Sequence, residues 1–294
     1  MSGLEHPERP EGVPERRPGA DRPWAAAWAI PIAFAALVAG GLAYAAAAAL
    51  RGALVDLPAH HDGITGVALH GPPPLLTLVG TFAQDLALVA GAVLAAGAAL
   101  KGRLTTAHLG LRPARVWSSA AYVVGGYVLF LLAAAAWTSA LGITDHENVV
   151  IDLGTRDSPL AFAGAGLLVC VVAPMAEEIF FRGFLFGALR RRGLVVATLV
   201  SGLAFGLAHV ASAPIGFLVP LALLGMILAL IYERTGSLYP SMALHAVNNS
   251  IAFAVGDGRT WAIPVSLAVS ALAIFGLSRA AGGGRGWRTV VPTP

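Results

Sequence analysis

What this chain has least of is charge. Acidic and basic residues make up 12% of its 294 positions, where an ordinary soluble domain carries about a quarter. Lysine occurs once, at Lys101, the remaining basic residues being arginine. Cysteine also occurs once: Cys170 lies in an apolar run, which excludes an intramolecular disulfide and a thiolate metal cage. There is no His-Glu-x-x-His stretch, no glycine-rich phosphate loop behind a strand, and no internal repeat. The net charge is only +3, and basic residues do not interleave with aromatics on a polar face, so no nucleic-acid partner is expected.

What fills the chain instead is apolar, at 57% of residues, which points to the bilayer as solvent. Residues 1–23 are rich in Pro, Glu, Arg and Gly and read as a disordered tail. Eight apolar runs follow, at 28–50, 75–100, 116–141, 160–189, 194–211, 215–232, 237–255 and 261–279. Most reach the ~20 residues that a spanning helix needs. The first is too long for a signal peptide and follows a polar tail, so it reads as an uncleaved anchor. The expected fold is all-α, a polytopic transmembrane bundle of about eight spans with both termini cytoplasmic. Its parts are the tail 1–23, helices and loops over 24–159, a core over 160–255, and a last helix with a cytoplasmic tail over 256–294.

Orientation comes from the basic residues. With the tail inside, fifteen fall on the cytoplasmic side, among them Lys101, Arg103, Arg112, Arg115, Arg190, Arg191, Arg192, Arg234 and Arg279. Only Arg51, Arg156 and Arg259 fall outside, and Arg182 lies within a span. An odd number of spans does not give this alternation. The segment 142–159, with Asp145, Glu147, Asp152 and Asp157, reads as a solvated external loop.

Polar residues inside the spans carry the functional information, because each charge at membrane depth costs at least ~2.5–3.5 kcal/mol. The fourth span holds Glu177, Glu178 and Arg182; the fifth holds Phe205 and His209; the seventh holds His245, Asn248 and Asn249. Glu178 and Arg182 are four apart and can neutralise each other on one face. Glu177 is turned about 100° away, without a partner on its own helix, and is free to face something else. Glu177 lies 16 residues before Gly193 and His209 lies 16 after it, which sets both roughly 24 Å from that turn. His245 and Asn249 lie 11 and 15 residues beyond Arg234, or roughly 17–22 Å in. The three groups meet in one layer. Pro174 should kink the fourth span and free the carbonyl of Cys170. Gly183, Gly187, Gly202 and Gly206 are expected to let the fourth and fifth spans approach closely.

These motifs, Glu-Glu-x-x-x-Arg, Phe-x-x-x-His and His-x-x-x-Asn in this order, resemble the CPBP family of CAAX-processing Rce1-type proteases and bacterial bacteriocin-processing or Abi proteins. The resemblance covers about residues 160–255, and Leu109-Gly110-Leu111-Arg112-Pro113 is similar to a segment these proteins often carry before a span. It implies an intramembrane glutamic endopeptidase, a hydrolase of the plasma membrane of a bacterial cell, acting on a membrane-associated peptide or protein. By the same resemblance Glu177 activates water, His209 holds or polarises it, and His245 and Asn249 stabilise the oxyanion. Glu178, Arg182 and Phe205 support them. No cofactor is expected.

Other readings stay open beside this one. Glu177, His209 and His245 are also a ligand set for zinc, and a zinc-dependent protease is the alternative within enzymes. A non-proteolytic scaffold or immunity protein shares the motifs in principle, and a proton-coupled transporter uses similar residues. Asp85, beside Gln84 in the second span, is expected to face the bundle and a polar partner, with a part in substrate access as the lesser option. His6, His60, His61, His70, His108 and His146 lie in the tail or loops; the His60-His61 pair lacks a third metal ligand.

Overall fold

The computed structural model describes residue 35 and residues 74–143, 158–210 and 212–282. The expected tail over 1–23, the first span over 28–50 apart from residue 35, nearly all of the acidic loop, and Arg285 and Arg288 lie outside the described residues.

Among the described residues the fold is helical throughout, with no strand. Helix α1 (Pro74–Ala99) leads through a short 3-10 turn (Thr106–Leu109) to α2 (Val116–Leu141). Helix α3 (Pro159–Arg192) is one long rod. It opens on Ser158, whose hydroxyl accepts from the Leu160 amide, with Pro159 at the first helical position, where its missing N–H costs nothing. Gly193, at φ 111°, turns the chain into α4 (Leu194–Ala208). A side chain there would be strained. Helices α5 (Leu218–Thr235), α6 (Leu238–Gly256) and α7 (Ala262–Gly282) complete the bundle.

Among the described residues, five helices are long and apolar enough to cross a membrane: Leu78–Ala99 within α1, α2, α3, Ile215–Thr235 around α5, and α7. Helix α4, at 15 residues, reaches only ~22 Å, short of a ~30 Å hydrocarbon core. Helix α6 has the length, but His245, Asn248 and Asn249 keep its hydropathy low. With these five, the protein is an integral multi-pass membrane protein.

One end of the bundle is tied together by polar bonds. The Leu238 amide donates to the Gly110 carbonyl at 2.9 Å, and the Ser237 hydroxyl to the Arg112 carbonyl at 2.5 Å. Arg190 grips Glu233 with two bonds of 3.0 and 2.7 Å, joining the ends of α3 and α5. The Leu109-Gly110-Leu111-Arg112 segment therefore caps this end. His108 accepts there through Nδ1 from the Thr105 amide at 3.0 Å, on the exposed side. Lys101, Arg103, Arg112, Arg115, Arg190, Arg191, Arg192 and Arg234 all stand at or beside this end.

The glycine expectation needs correction. Gly202 and Gly206 do not bring α3 to α4; they bring α4 to α5. A Cβ on Gly206 would come within 2.7 Å of the Leu218 carbonyl and 2.8 Å of Ala222 Cβ, and Gly225 on α5 meets Gly202 in return. Gly183 faces the Leu109 carbonyl, 2.7 Å from where its Cβ would stand. The α3–α4 contact is made by larger groups: Phe181 meets Phe205 edge-on at 5.4 Å, and the Ser201 hydroxyl donates to the Phe181 carbonyl at 3.0 Å.

Candidate active site

Helix α3 is not a regular α-helix through its centre. It widens to π geometry over Leu168–Val172, returns to α over Ala173–Glu177, and widens again over Glu178–Phe186. Such widened turns are found mostly at functional sites. Proline at 174 has no N–H to give back along the helix. Its neighbours answer from other helices. The Asn249 amide of α6 donates to the Val169 carbonyl at 2.9 Å, and the Ser270 hydroxyl of α7 donates to the Cys170 carbonyl at 2.9 Å. The sequence pointed to Cys170 alone; the π turn releases Val169 as well.

The centre is a chain of charged and aromatic groups with almost no solvent. Glu178 and Arg182 are both fully buried, with Arg182 Nη1 2.8 Å from Glu178 Oε1. Nη1 lies close without good alignment, since it makes no hydrogen bond by angle, so the contact is an ion pair first. Arg182 Nη2 donates to the Gly225 carbonyl at 3.0 Å, and its guanidinium lies 4.5 Å from the Phe205 ring centre. The same Glu178 Oε1 stands 3.2 Å from His245 Nδ1, and His245 Nε2 stands 3.8 Å from Glu177 Oε2. His245 thus bridges the two adjacent glutamates, one at each ring nitrogen.

This bridging was not legible in advance. Helical spacing paired Glu178 with Arg182 and turned Glu177 elsewhere, which holds. It gave no sign that Glu178 also reaches α6. The π geometry over Glu178–Phe186 adds a residue to the turn and re-aims its side chains.

His209 ends α4. Its ring lies 4.9 Å from the Phe205 ring, and its Nδ1 is 2.8 Å from the Phe205 carbonyl. Phe205 also meets His245 edge-on at 5.3 Å. Phe205 is therefore the hub against which Arg182, His209 and His245 are packed. Asn249 lies one turn beyond His245 on α6, holding Val169 as described, and Asn248 stands next to it at 3.5 Å between side-chain amides. Asp85 of α1 is 3% exposed and is electrostatically coupled to Glu177. It faces the bundle as expected.

Among the described residues no group of three His, Cys, Asp or Glu side chains is placed to hold a metal ion. A separate apolar cavity of about 570 Å³ lies between α3, the end of α6 and α7, lined by Phe162, Gly166, Phe253, Trp261 and Val265 among others. It contains none of the residues of the charged centre.

Comparison with known proteins bears on this region. Residues 159–251 match the family described as type II CAAX prenyl endopeptidase Rce1-like. This segment is Rce1-like. It runs from the start of α3 to within α6, and so contains every residue of the glutamate–histidine centre. UPF0177 protein YxdF of Lactococcus lactis subsp. lactis (strain IL1403) is 26% identical over 128 residues, covering 42% of this chain and 70% of that protein. No solved structure matches the chain. The family match supports a CAAX-type intramembrane endopeptidase in general terms, within a multi-pass membrane protein.

Proposed function

We propose that this chain hydrolyses peptide bonds of a membrane-associated protein or peptide within the plasma membrane of a bacterial cell, as a glutamate-dependent protease. The observation that carries the reading is His245 held between Glu178 and Glu177. An imidazole with a carboxylate at each nitrogen has its orientation and tautomer fixed, in the way a third group orients the base of a catalytic triad.

The steps balance on the chain's own residues. Glu177 accepts a proton from water as the water oxygen attacks the scissile carbonyl carbon. The carbonyl oxygen becomes an oxyanion, and donors aimed at that position are worth ~2.7–4 kcal/mol each. Asn249 spends one amide hydrogen on Val169 and retains a second for this purpose. His245 gives its Nδ1–H to Glu178; Nε2 then accepts in the neutral ring and donates in the imidazolium. At 3.8 Å from Glu177 Oε2, the imidazolium forms an ionic contact with that carboxylate and not a hydrogen bond. As the carbon–nitrogen bond breaks, the proton on Glu177 passes to the leaving amine. His209, packed on the same phenylalanine, polarises the water. Arg182 and Phe205 hold these groups and touch no reacting atom.

The cytoplasmic side is assigned to the end where the basic residues gather, and both termini to that side. No metal takes part in this scheme, so zinc-free protein exposed to a chelator keeps its activity. The deciding experiment compares the membrane proteomes of cells carrying the wild type and Glu177→Gln. New protein termini present only with the wild type are the expected result. Equal cleavage by the two would sink the proposal.

A further inference from the structure

Asp85 stands out among the groups that this mechanism leaves unused. It lies near the middle of α1 on the face that carries Leu88, Ala92 and Ala96, all at most 1% exposed. These positions recur at helical spacing, three, seven and eleven residues on, and so form one stripe. Helix α1 packs that face on Ala173–Glu177 and on the π segment behind it. A carboxyl there is costly in a spanning helix unless something engages it. Its Oδ2 is buried and has no hydrogen-bond donor among the described residues. Its electrostatic neighbour is another carboxyl, Glu177, whose Oε2 is likewise buried without a donor.

Two buried acceptors with no donor are an unstable arrangement by themselves. A peptide-hydrolysing centre, however, must seat one molecule with two O–H groups, the attacking water. Resting on the function proposed above, we propose that Asp85 is a third carboxyl of the reaction centre, accepting one O–H of the attacking water while Glu177 accepts the other. With both hydrogens fixed, a lone pair of the water oxygen is left to face the scissile carbonyl carbon. The proton that moves is the one on Glu177's side; Asp85 keeps the second hydrogen bond throughout and is not consumed. Asp85 comes from a helix outside the matched segment 159–251, so the centre draws on both parts of the chain.

The test uses Asp85→Leu and Asp85→Asn in full-length protein in detergent micelles, with an internally quenched peptide pool as substrate. Leucine removes the acceptor but suits a spanning helix. It is expected to raise the thermal midpoint while lowering kcat about 100-fold, as loss of alignment does, with KM little changed. Asparagine keeps a carbonyl acceptor and is expected to recover kcat to within about tenfold of wild type, since a neutral hydrogen bond is weaker than a charged one. A leucine variant that loses stability together with activity has lost a structural group, and one that raises KM alone has lost a substrate-access group. Either result overturns the proposal. A second arm needs no turnover: the thermal gains from Asp85→Asn and Glu177→Gln should be less than additive in the double variant, and strict additivity also overturns it. Glu177→Gln in the same peptide assay reads the protease function separately. Should it cleave like the wild type, that function fails while the coupling of the two carboxyls still stands or falls on the second arm.

Discussion

Replacing Arg182 by leucine isolates what the buried charge chain contributes. The strongest contacts of Arg182 in the dry interior are three: the 2.8 Å ion pair with Glu178, the 3.0 Å bond to the Gly225 carbonyl, and the 4.5 Å approach to the Phe205 ring, beside a more distant one of 5.8 Å to the Phe181 ring. Removing one partner of a buried pair leaves the other charge uncompensated, at a cost of about 3–5 kcal/mol. The lost bond to Gly225 strands a carbonyl, for about 1–3 kcal/mol, and the lost ring contact is worth about 2 kcal/mol. These do not add, because one guanidinium makes all three and leucine regains some packing. The expected loss is therefore about 3–5 kcal/mol. Tryptophan fluorescence during denaturant titration in micelles measures it. Adding Glu178→Gln removes the stranded charge and should return at least about 2 kcal/mol. A loss under about 1 kcal/mol, or a double variant no more stable than the single, refutes the charge argument and leaves packing alone.

Three further outcomes follow from the geometry. Asn249→Leu strands the Val169 carbonyl and should cost about 1–3 kcal/mol in stability, with kcat down about 100- to 1,000-fold when an oxyanion donor goes with it; unchanged stability would show that the 2.9 Å bond does not matter. Gly206→Ala drives a Cβ to 2.7 Å from the Leu218 carbonyl, whereas Gly80→Ala meets nothing within 4 Å. The first should separate α4 from α5 and lower stability by about 1–3 kcal/mol, and the second should be neutral or gain up to about 1 kcal/mol, both read by thermal unfolding. Arg190→Ala breaks the two-pronged contact with Glu233, whose partners are 16% and 11% exposed. Being bidentate and mostly shielded, it should cost about 1–2 kcal/mol, and Arg190→Lys should recover only part, since lysine has no fork.

How far the sequence could be read depended on the kind of constraint each residue obeys. The span over 116–141 was legible because the length of an apolar run answers to bilayer thickness, and α2 is Val116–Leu141. The candidate residues were legible because polar groups in such runs are expensive, and the i, i+4 rule paired Glu178 with Arg182. What failed was anything that depends on which neighbour fills a gap. Gly202 and Gly206 signalled a close helix contact without naming the partner, which proved to be α5. Asn249 was read as a donor to substrate, and its bond to Val169 depends on a π turn that no periodicity rule foresees. Asp85 shows the same limit, since its burial was predictable and its neighbour, Glu177, 92 positions away, was not.

Pro174 ties these threads together. In a bilayer every backbone carbonyl needs a partner within the protein, and proline removes the N–H that would have served Val169 or Cys170. Those two carbonyls are instead held by Asn249 and Ser270, so the π turn before Pro174 is also where α6 and α7 fasten to α3. Pro174 lies three residues before Glu177. Pro174→Ala restores the N–H. It would then compete with Asn249 and Ser270 for carbonyls that already have donors, and α3 gains a bond of about 1 kcal/mol. Stability should hold or rise, while Asn249 and the glutamates shift from their places against His245 and peptide cleavage falls. Thermal unfolding and cleavage of the quenched peptide pool, measured on the same preparation, distinguish the cases. A variant that loses stability but cleaves normally would mean that the proline supports the fold and has no part in placing the site.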